Sequence, residues 1–365
     1  MSDLLIIGTG LIGTSVGLAL RDAGGWDVTV EDIDSARVNR AVERGAGRRW
    51  DGVETAGVVL VATPPSVTAA ILCNAQRRSL GSTYTHVASV QSRVQREVEL
   101  LTLETSNVVG GHPMSGSERS GPDAAAGDVF VGRPWVLCPS PASSRATLAA
   151  VRLLASSCGA EPVEMTPDAH DAAVALVSHL PQVTASALAG LLQAAGPAAA
   201  ALAGPGLTDT TRIAASDPDL WVDVLSANAA HVGPLLHALA GDVSAVANAL
   251  DDLADGTEGG PAAAALAVLR AALEGGRLGR ALIPVKRGAL EGRFGRVRVA
   301  VPDQPGQLAG LLVAAAAVGV NVEDVRVEHV PGRPRGVIEL LVDRDACDSL
   351  AQALRATGWH VLTTT

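Results

Sequence analysis

The chain has 365 residues; 48% are hydrophobic, 18% charged and only 2% aromatic, and the net charge is −10. That length suits two or three domains. The apolar share excludes an intrinsically disordered chain, and the acidic balance leaves no basic footprint for nucleic acid. The acidity is uneven: residues 1–165 carry −3, residues 166–292 carry −7, and residues 293–365 are neutral.

In chain order, Leu4–Gly8 reads as a strand, Leu11–Asp22 as a helix, Asp27–Glu31 as a strand, Ser35–Arg44 as a helix and Gly57–Thr63 as a strand. The last is wholly apolar, as expected of a parallel sheet covered on both faces. Between the first strand and helix lies Gly8-Thr-Gly10-Leu11-Ile12-Gly13. In that setting Gly8 makes a tight turn, Gly10 admits a pyrophosphate and Gly13 lets helix and strand pack closely. The helix start, with Leu11 and Ile12, turns its N–H groups to the phosphates. Asp32 follows at the end of the second strand, where an acid binds ribose hydroxyls. Its neighbour is Ile33 rather than Arg, so NAD is preferred over NADP. Thr63 and Pro64, closing the third strand, join the cofactor-binding set.

Asn107–Val109 is a further short strand, leading into Gly110-Gly111-His112-Pro113-Met114-Ser115-Gly116-Ser117-Glu118. A histidine at a strand end of an α/β sheet points to its ligand crevice; spacing alone weighs this evenly against a loop hydrogen bond. From Thr166 to Leu282 the pattern is helical. Within it, Ala172–Thr208 holds no Asp, Glu, Lys or Arg. Its alanines, prolines and His179 favour buried soluble helices over a membrane span. Arg212 is the only Lys or Arg between Arg152 and Arg270. A guanidinium fork among acids suits a carboxylate clamp, or else an ion pair with Asp209 or Asp217. Taken alone, His179 and Trp221 read as core packing. After a Gly/Arg-rich linker at 286–295, the tail reads strand, helix, strand, strand, helix, strand, a ferredoxin-like order.

The four cysteines (Cys73, Cys138, Cys158, Cys347) lack metal-ligand spacing, and the N-terminus lacks a basic flank before its first apolar run. Reduced thiols, no metal and a cytoplasmic location are expected. The expected division is a dinucleotide-binding Rossmann domain (1–165), an all-α domain for substrate and dimerisation (166–285), the linker, and a ferredoxin-like α+β domain (296–365).

Taken together, GTGLIG at 8–13, VATPP at 61–65, GGHPMSGSERSG at 110–121, VSHLPQ at 177–182 and DTTRIAASDPDLW at 209–221 resemble the prephenate dehydrogenase family of tyrosine biosynthesis. The tail, with DQPGQL at 303–308, resembles an ACT domain. The resemblance implies NAD-dependent oxidative decarboxylation of prephenate, or of arogenate, by a cytoplasmic homodimer, with an amino-acid effector at the tail. It implies that His112 accepts the substrate hydroxyl proton, assisted by Ser89. His179 would face the substrate side chain and Arg212 the ring carboxylate. Ser117 and Glu118 would lie near the substrate and gate, with Asp209 and Trp221 positioning the arginine. Relatives often carry an acid and a lysine where this chain has His86 and Gln91. A different hydroxyacid dehydrogenase, or a non-catalytic NAD and amino-acid sensor, would leave these motifs unexplained.

Overall fold

The computed structural model describes residues 2–101, 104–115, 120–256, 260–283, 293–329 and 335–364. It divides into two compact units, Met1–Ser244 and Ala245–Thr365. The first begins β1 (Ser2–Ile7), α1 (Leu11–Ala23), β2 (Trp26–Glu31), α2 (Ser35–Glu43), β3 (Arg48–Arg49), β4 (Ala56–Val61), α3 (Pro65–Arg77), β5 (Gly81–His86), α4 (Ser92–Leu101), β6 (Val108–Pro113), β7 (Pro134–Pro139), α5 (Arg145–Ser157) and β8 (Glu161–Glu164). These strands form one sheet, ordered β3-β2-β1-β4-β5-β6-β7-β8. All neighbours pair in parallel except β6 and β7.

Alternation along β1 sets the two faces. Leu4 and Ile6 join the cluster of Val30, Leu60, Val16 and Leu154, under α1 and α5. Leu5 joins Val59, Val61, Leu72 and Val94, under α3 and α4. The strand order reverses between β1 and β4, so a crevice opens beyond their carboxyl ends.

The helical segment follows: α6 (Pro167–Val174), a π turn (Ala175–His179), α7 (Leu180–Ala200), α8 (Pro205–Thr211), a 3-10 turn (Arg212–Ala215), α9 (Pro218–Ala227) and α10 (Ala229–Ala254), whose last turns enter the second unit. Pro167–Gly196 is long and apolar enough to cross a membrane, with mean hydropathy 1.3. The expectation of a buried helical floor needs correction. Val174, Ala175, His179, Gln182 and Ala185 are buried, whereas Leu176, Val177, Leu188 and Leu191 are exposed in the single chain. Only one stripe of the stretch faces the chain's own core.

The second unit holds α11 (Gly260–Ala281), β9 (Phe294–Pro302), α12 (Gln307–Ala317), β10 (Val322–His329), β11 (Arg335–Asp343), α13 (Cys347–Ala356) and β12 (His360–Thr364). Its sheet runs β10-β11-β9-β12, antiparallel throughout. Val297, Val299 and Val301 alternate inward from β9 onto Leu311, Leu350 and Leu354. β9 starts inside the expected linker, at Phe294, and residues 284–292 lie outside the described ones.

Candidate active site

The glycines occupy the positions their spacing predicts. Gly8 has φ +107°, and a Cβ there would strike the Ala62 carbonyl. A Cβ on Gly13 would strike the Gly8 carbonyl and crowd Ile6 and Ala62. At Gly10 a Cβ would meet no atom of the described residues within 4 Å, so they leave the space in front of it open. Gly10 also precedes α1 without a side chain to cap it, leaving the first-turn N–H groups available to an anion. Asp32 Oδ2 accepts from Thr9 N–H (2.7 Å) and the Thr9 hydroxyl (3.1 Å), and its Oδ1 accepts from Asp34 N–H (2.9 Å). A cleft beside it is lined by Val30, Val38, Trp50 and Arg78, whose guanidinium stands 4.9 Å from the Trp50 ring centroid. Thr63 and Pro64 lead from β4 into α3. This set fits a dinucleotide.

A second constellation is built from side chains. His112 lies within β6, opposite Val136 of β7. Its Nδ1 is 2.8 Å from His170 Nε2, and His170 Nδ1 is 2.8 Å from Asp171 Oδ1. The Asp171 carboxylate also accepts from the N–H groups of Gln91 and Ser92, both at 2.8 Å. Burial opposes its charge, but these donors outweigh it and hold its pKa below the usual carboxylate range. An ionised carboxylate only accepts, so His170 Nδ1 donates. In the neutral pair His170 Nε2 then accepts from His112 Nδ1–H, and His112 Nε2 is left with a bare lone pair. Desolvation, then the nearness of His170 and His179, pushes His112 down to about 3. At neutral pH His112 is therefore an uncharged acceptor.

Gln91 is fully buried, and its amide donates to Ala88 O (2.7 Å) and Gly111 O (3.1 Å). It ties the loop bearing Ser89 to the strand bearing His112, where the resembling family often has lysine. His86, at the place of the family's acid, is buried and pushed by desolvation to about 4, so this pair of positions is uncharged.

Three residues from α9 and its C-terminal end complete the wall. Trp221 stands edge-on to His179, with ring centroids 5.9 Å apart. Asp223 accepts from Ser66 N–H (3.1 Å) at the start of α3. Asn228 Nδ2 donates to the Asp171 backbone carbonyl (2.8 Å) and lies 3.1 Å from His179 Nδ1. Its Oδ1 is 3.0 Å from His231 Nδ1, and His231 Nε2 is 3.2 Å from Asp168 Oδ1. The π turn makes this convergence possible. In a regular helix Asp171 and His179 would be separated by about 80° around the axis; the turn's extra residue takes back about 100° and brings them nearly into line.

The structure thus gathers His112, His179 and Trp221 with three residues that the sequence reading did not assign: His170, Asp171 and Asn228. The available signal was an adjacent His–Asp pair at the mouth of the uncharged stretch. Arg212 and Asp209 are exposed; Arg212 opens the 3-10 turn that packs on α7. Asp217 caps α9, accepting from Asp219 N–H (2.9 Å). Ser117 and Glu118 lie outside the described residues.

A dinucleotide crevice, with a neutral imidazole acceptor on a nearby strand of the same sheet, defines a nucleotide-dependent dehydrogenase. Residues 16–164 match the prephenate dehydrogenase nucleotide-binding domain, and residues 166–256 match its dimerization domain. The chain is 34% identical to the probable prephenate dehydrogenase NovF of Streptomyces niveus, over 98% of this chain and 99% of that one. Among solved structures, the prephenate dehydrogenase of Aquifex aeolicus, in complex with hydroxyphenyl propionate and NAD+, superposes with TM-score 0.67 at 24% identity, covering 78% of this chain and 99% of that one. The arogenate dehydrogenase of Synechocystis superposes with TM-score 0.57 at 26% identity, covering 69% and 92%. The chain belongs to the prephenate dehydrogenase family and is an NAD-dependent oxidoreductase.

Proposed function

We propose that the chain oxidises prephenate in preference to arogenate, with loss of CO2, to give 4-hydroxyphenylpyruvate. The observation that carries the chemistry is the bare Nε2 of His112, fixed by Asp171 through His170. Gly8, Gly10 and Gly13 would hold the NAD pyrophosphate and Asp32 its ribose, and the cofactor would supply the hydride acceptor for the hydroxyl-bearing carbon. His112 Nε2 accepts the hydroxyl proton as that carbon becomes a carbonyl, and the departing carboxylate leaves its electron pair to aromatise the ring. A positioned imidazole contributes ~10²–10⁴-fold to such a transfer. Ser89, in the loop braced by Gln91, assists at the same hydroxyl. Arg212, steered by Asp209, binds the ring carboxylate, and Ser117 and Glu118 serve the site's mouth.

The domain scheme is 1–165 for NAD, 166–285 for substrate and dimerisation, and 296–365 as an ACT domain. A βαββαβ chain with sheet order β10-β11-β9-β12 supports a ferredoxin-like tail, where an amino acid, tyrosine first, would act as effector. The exposed Leu176, Val177, Leu188 and Leu191, within residues matching a dimerization domain, support a homodimer, which we place in the cytoplasm as part of the same proposal. The second reading, arogenate as substrate, is favoured by the likeness to the Synechocystis enzyme. NADH absorbance decides between them, with prephenate and arogenate each supplied beside NAD or NADP, with and without tyrosine. A kcat/KM at least ten times higher for prephenate is expected; the reverse ratio selects arogenate.

A further inference from the structure

Asn228 lies outside every motif that suggested the chemistry, yet it is the joint of the buried network. It is 2% exposed, and His179 and Asp171 are each 1% exposed. The Asp171 backbone carbonyl can only accept, so the Asn228 atom facing it at 2.8 Å is the amide nitrogen. That assignment fixes the rest. The same nitrogen lies 3.1 Å from His179 Nδ1, which must therefore present a lone pair. The Asn228 oxygen, 3.0 Å from His231 Nδ1, accepts from that ring in turn. A neutral imidazole carries one N–H, so the His179 proton sits on Nε2.

We infer that Asn228 is a positioning residue that selects the substrate's side chain: by holding His179 as an Nε2–H donor, it makes that end of the site take a carbonyl or carboxylate oxygen and refuse an ammonium. This deepens the proposed reaction and rests on that reading for the placement of His179 beside the side chain. The keto form offers oxygen acceptors alone. The amino form brings an N–H donor, which would meet another donor. Desolvation drives His179 down to about 4, so the donor is uncharged at neutral pH and its direction is set by tautomer alone. Trp221 packs edge-on to the ring, which limits how it can turn.

Long-range 1H–15N correlation spectra of the full-length protein, labelled at histidine, read the tautomer directly. Nε2-protonated His179, assigned by loss of its signal in His179→Gln, is the expected result; an Nδ1-protonated ring overturns the inference whether or not the enzyme turns over either substrate. In Asn228→Asp a carboxylate oxygen faces Nδ1, so the proton moves there. The KM for prephenate should then rise about tenfold or more, the worth of one hydrogen bond. The KM for NAD should hold, and arogenate should gain relative to prephenate by a similar factor. Equal losses on both substrates would mean that Asn228 is only structural. His179→Gln, whose amide nitrogen reaches the place of Nε2, should keep more prephenate activity than His179→Asn, whose amide reaches only Nδ1; the opposite order also overturns the inference. Absence of turnover by the wild type on either substrate defeats the functional reading and leaves the spectra to judge the tautomer.

Discussion

The nucleotide crevice and the histidine wall solve different problems with opposite materials. The crevice is made by missing side chains: Gly8 and Gly13 clear backbone contacts, and Gly10 leaves open space before uncapped N–H groups. The wall is made by side chains that exclude solvent, each fixing the next from Asp171 through His170 to His112. A backbone site tolerates any neighbours that preserve its turn. A relay of tautomers fails if one donor is exchanged for an acceptor, because a buried unpaired polar group costs ~1–3 kcal/mol as well as reversing the next bond.

Four experiments press on that contrast. The largest effect is expected from His112→Asn, with kcat lower by ~10²–10⁴-fold, and from Asp171→Asn, which reverses the bond to His170; NAD affinity, measured by titration, should stay within about twofold because the crevice is built separately. Near wild-type kcat in both would remove the relay from the mechanism. Acid stability comes next. His86 and His179 are buried and held near 4, so below the ordinary imidazole value of 6.5 the unfolded chain binds protons that the folded chain refuses. Stability is therefore full above about 6.5 and lost as pH falls toward 4, on the order of 2 kcal/mol per histidine between pH 7 and pH 5. A Tm unchanged across that window would contradict it. Arg212→Ala should raise the KM for substrate about tenfold, the share of one charged hydrogen bond at an exposed site, with kcat and the KM for NAD held; an unchanged substrate KM sinks the clamp. Gly10→Ala should shift Tm least, within the cost of about 0.5 kcal/mol usual for surface changes, since its Cβ meets nothing among the described residues, yet weaken NAD severalfold in a binding titration. Full NAD affinity in that variant would mean that the open space at Gly10 is not where the pyrophosphate lies.

The same contrast explains what could be read from the chain alone. The crevice is contiguous: strand, glycine turn and helix lie within 23 residues, and Asp32 sits at the end of the next strand. The parallel sheet announced itself through apolar strands such as Gly57–Thr63. The antiparallel β7 did not, because strand direction is set by partners rather than by local pattern. His112, Arg212 and His179 were singled out by isolation or by resemblance. His170, Asp171 and Asn228 escaped because their roles exist only once β6, the loop before α4, α6 and the end of α9 meet. Gln91 seemed a lost cation; buried, it proves to be a brace between two backbone carbonyls. The apolar stretch was read as core on composition, although much of it is exposed in the single chain.

The π turn at Ala175–His179 has a consequence for how this segment can change. One surplus residue acts there as a frame shift written in helical angle. Straightening the turn into a regular helix at the same residue count would rotate everything after it by about 100° relative to Asp171, carrying His179 away from Asn228, whereas loss of the surplus residue itself would leave His179 nearly in line. Point substitutions around the turn are local events, whereas losing the wide turn without losing a residue reorients the helix that follows. Residue count and turn geometry are therefore coupled between Asp171 and His179: the present count needs the wide turn, and one residue fewer would need only a regular helix.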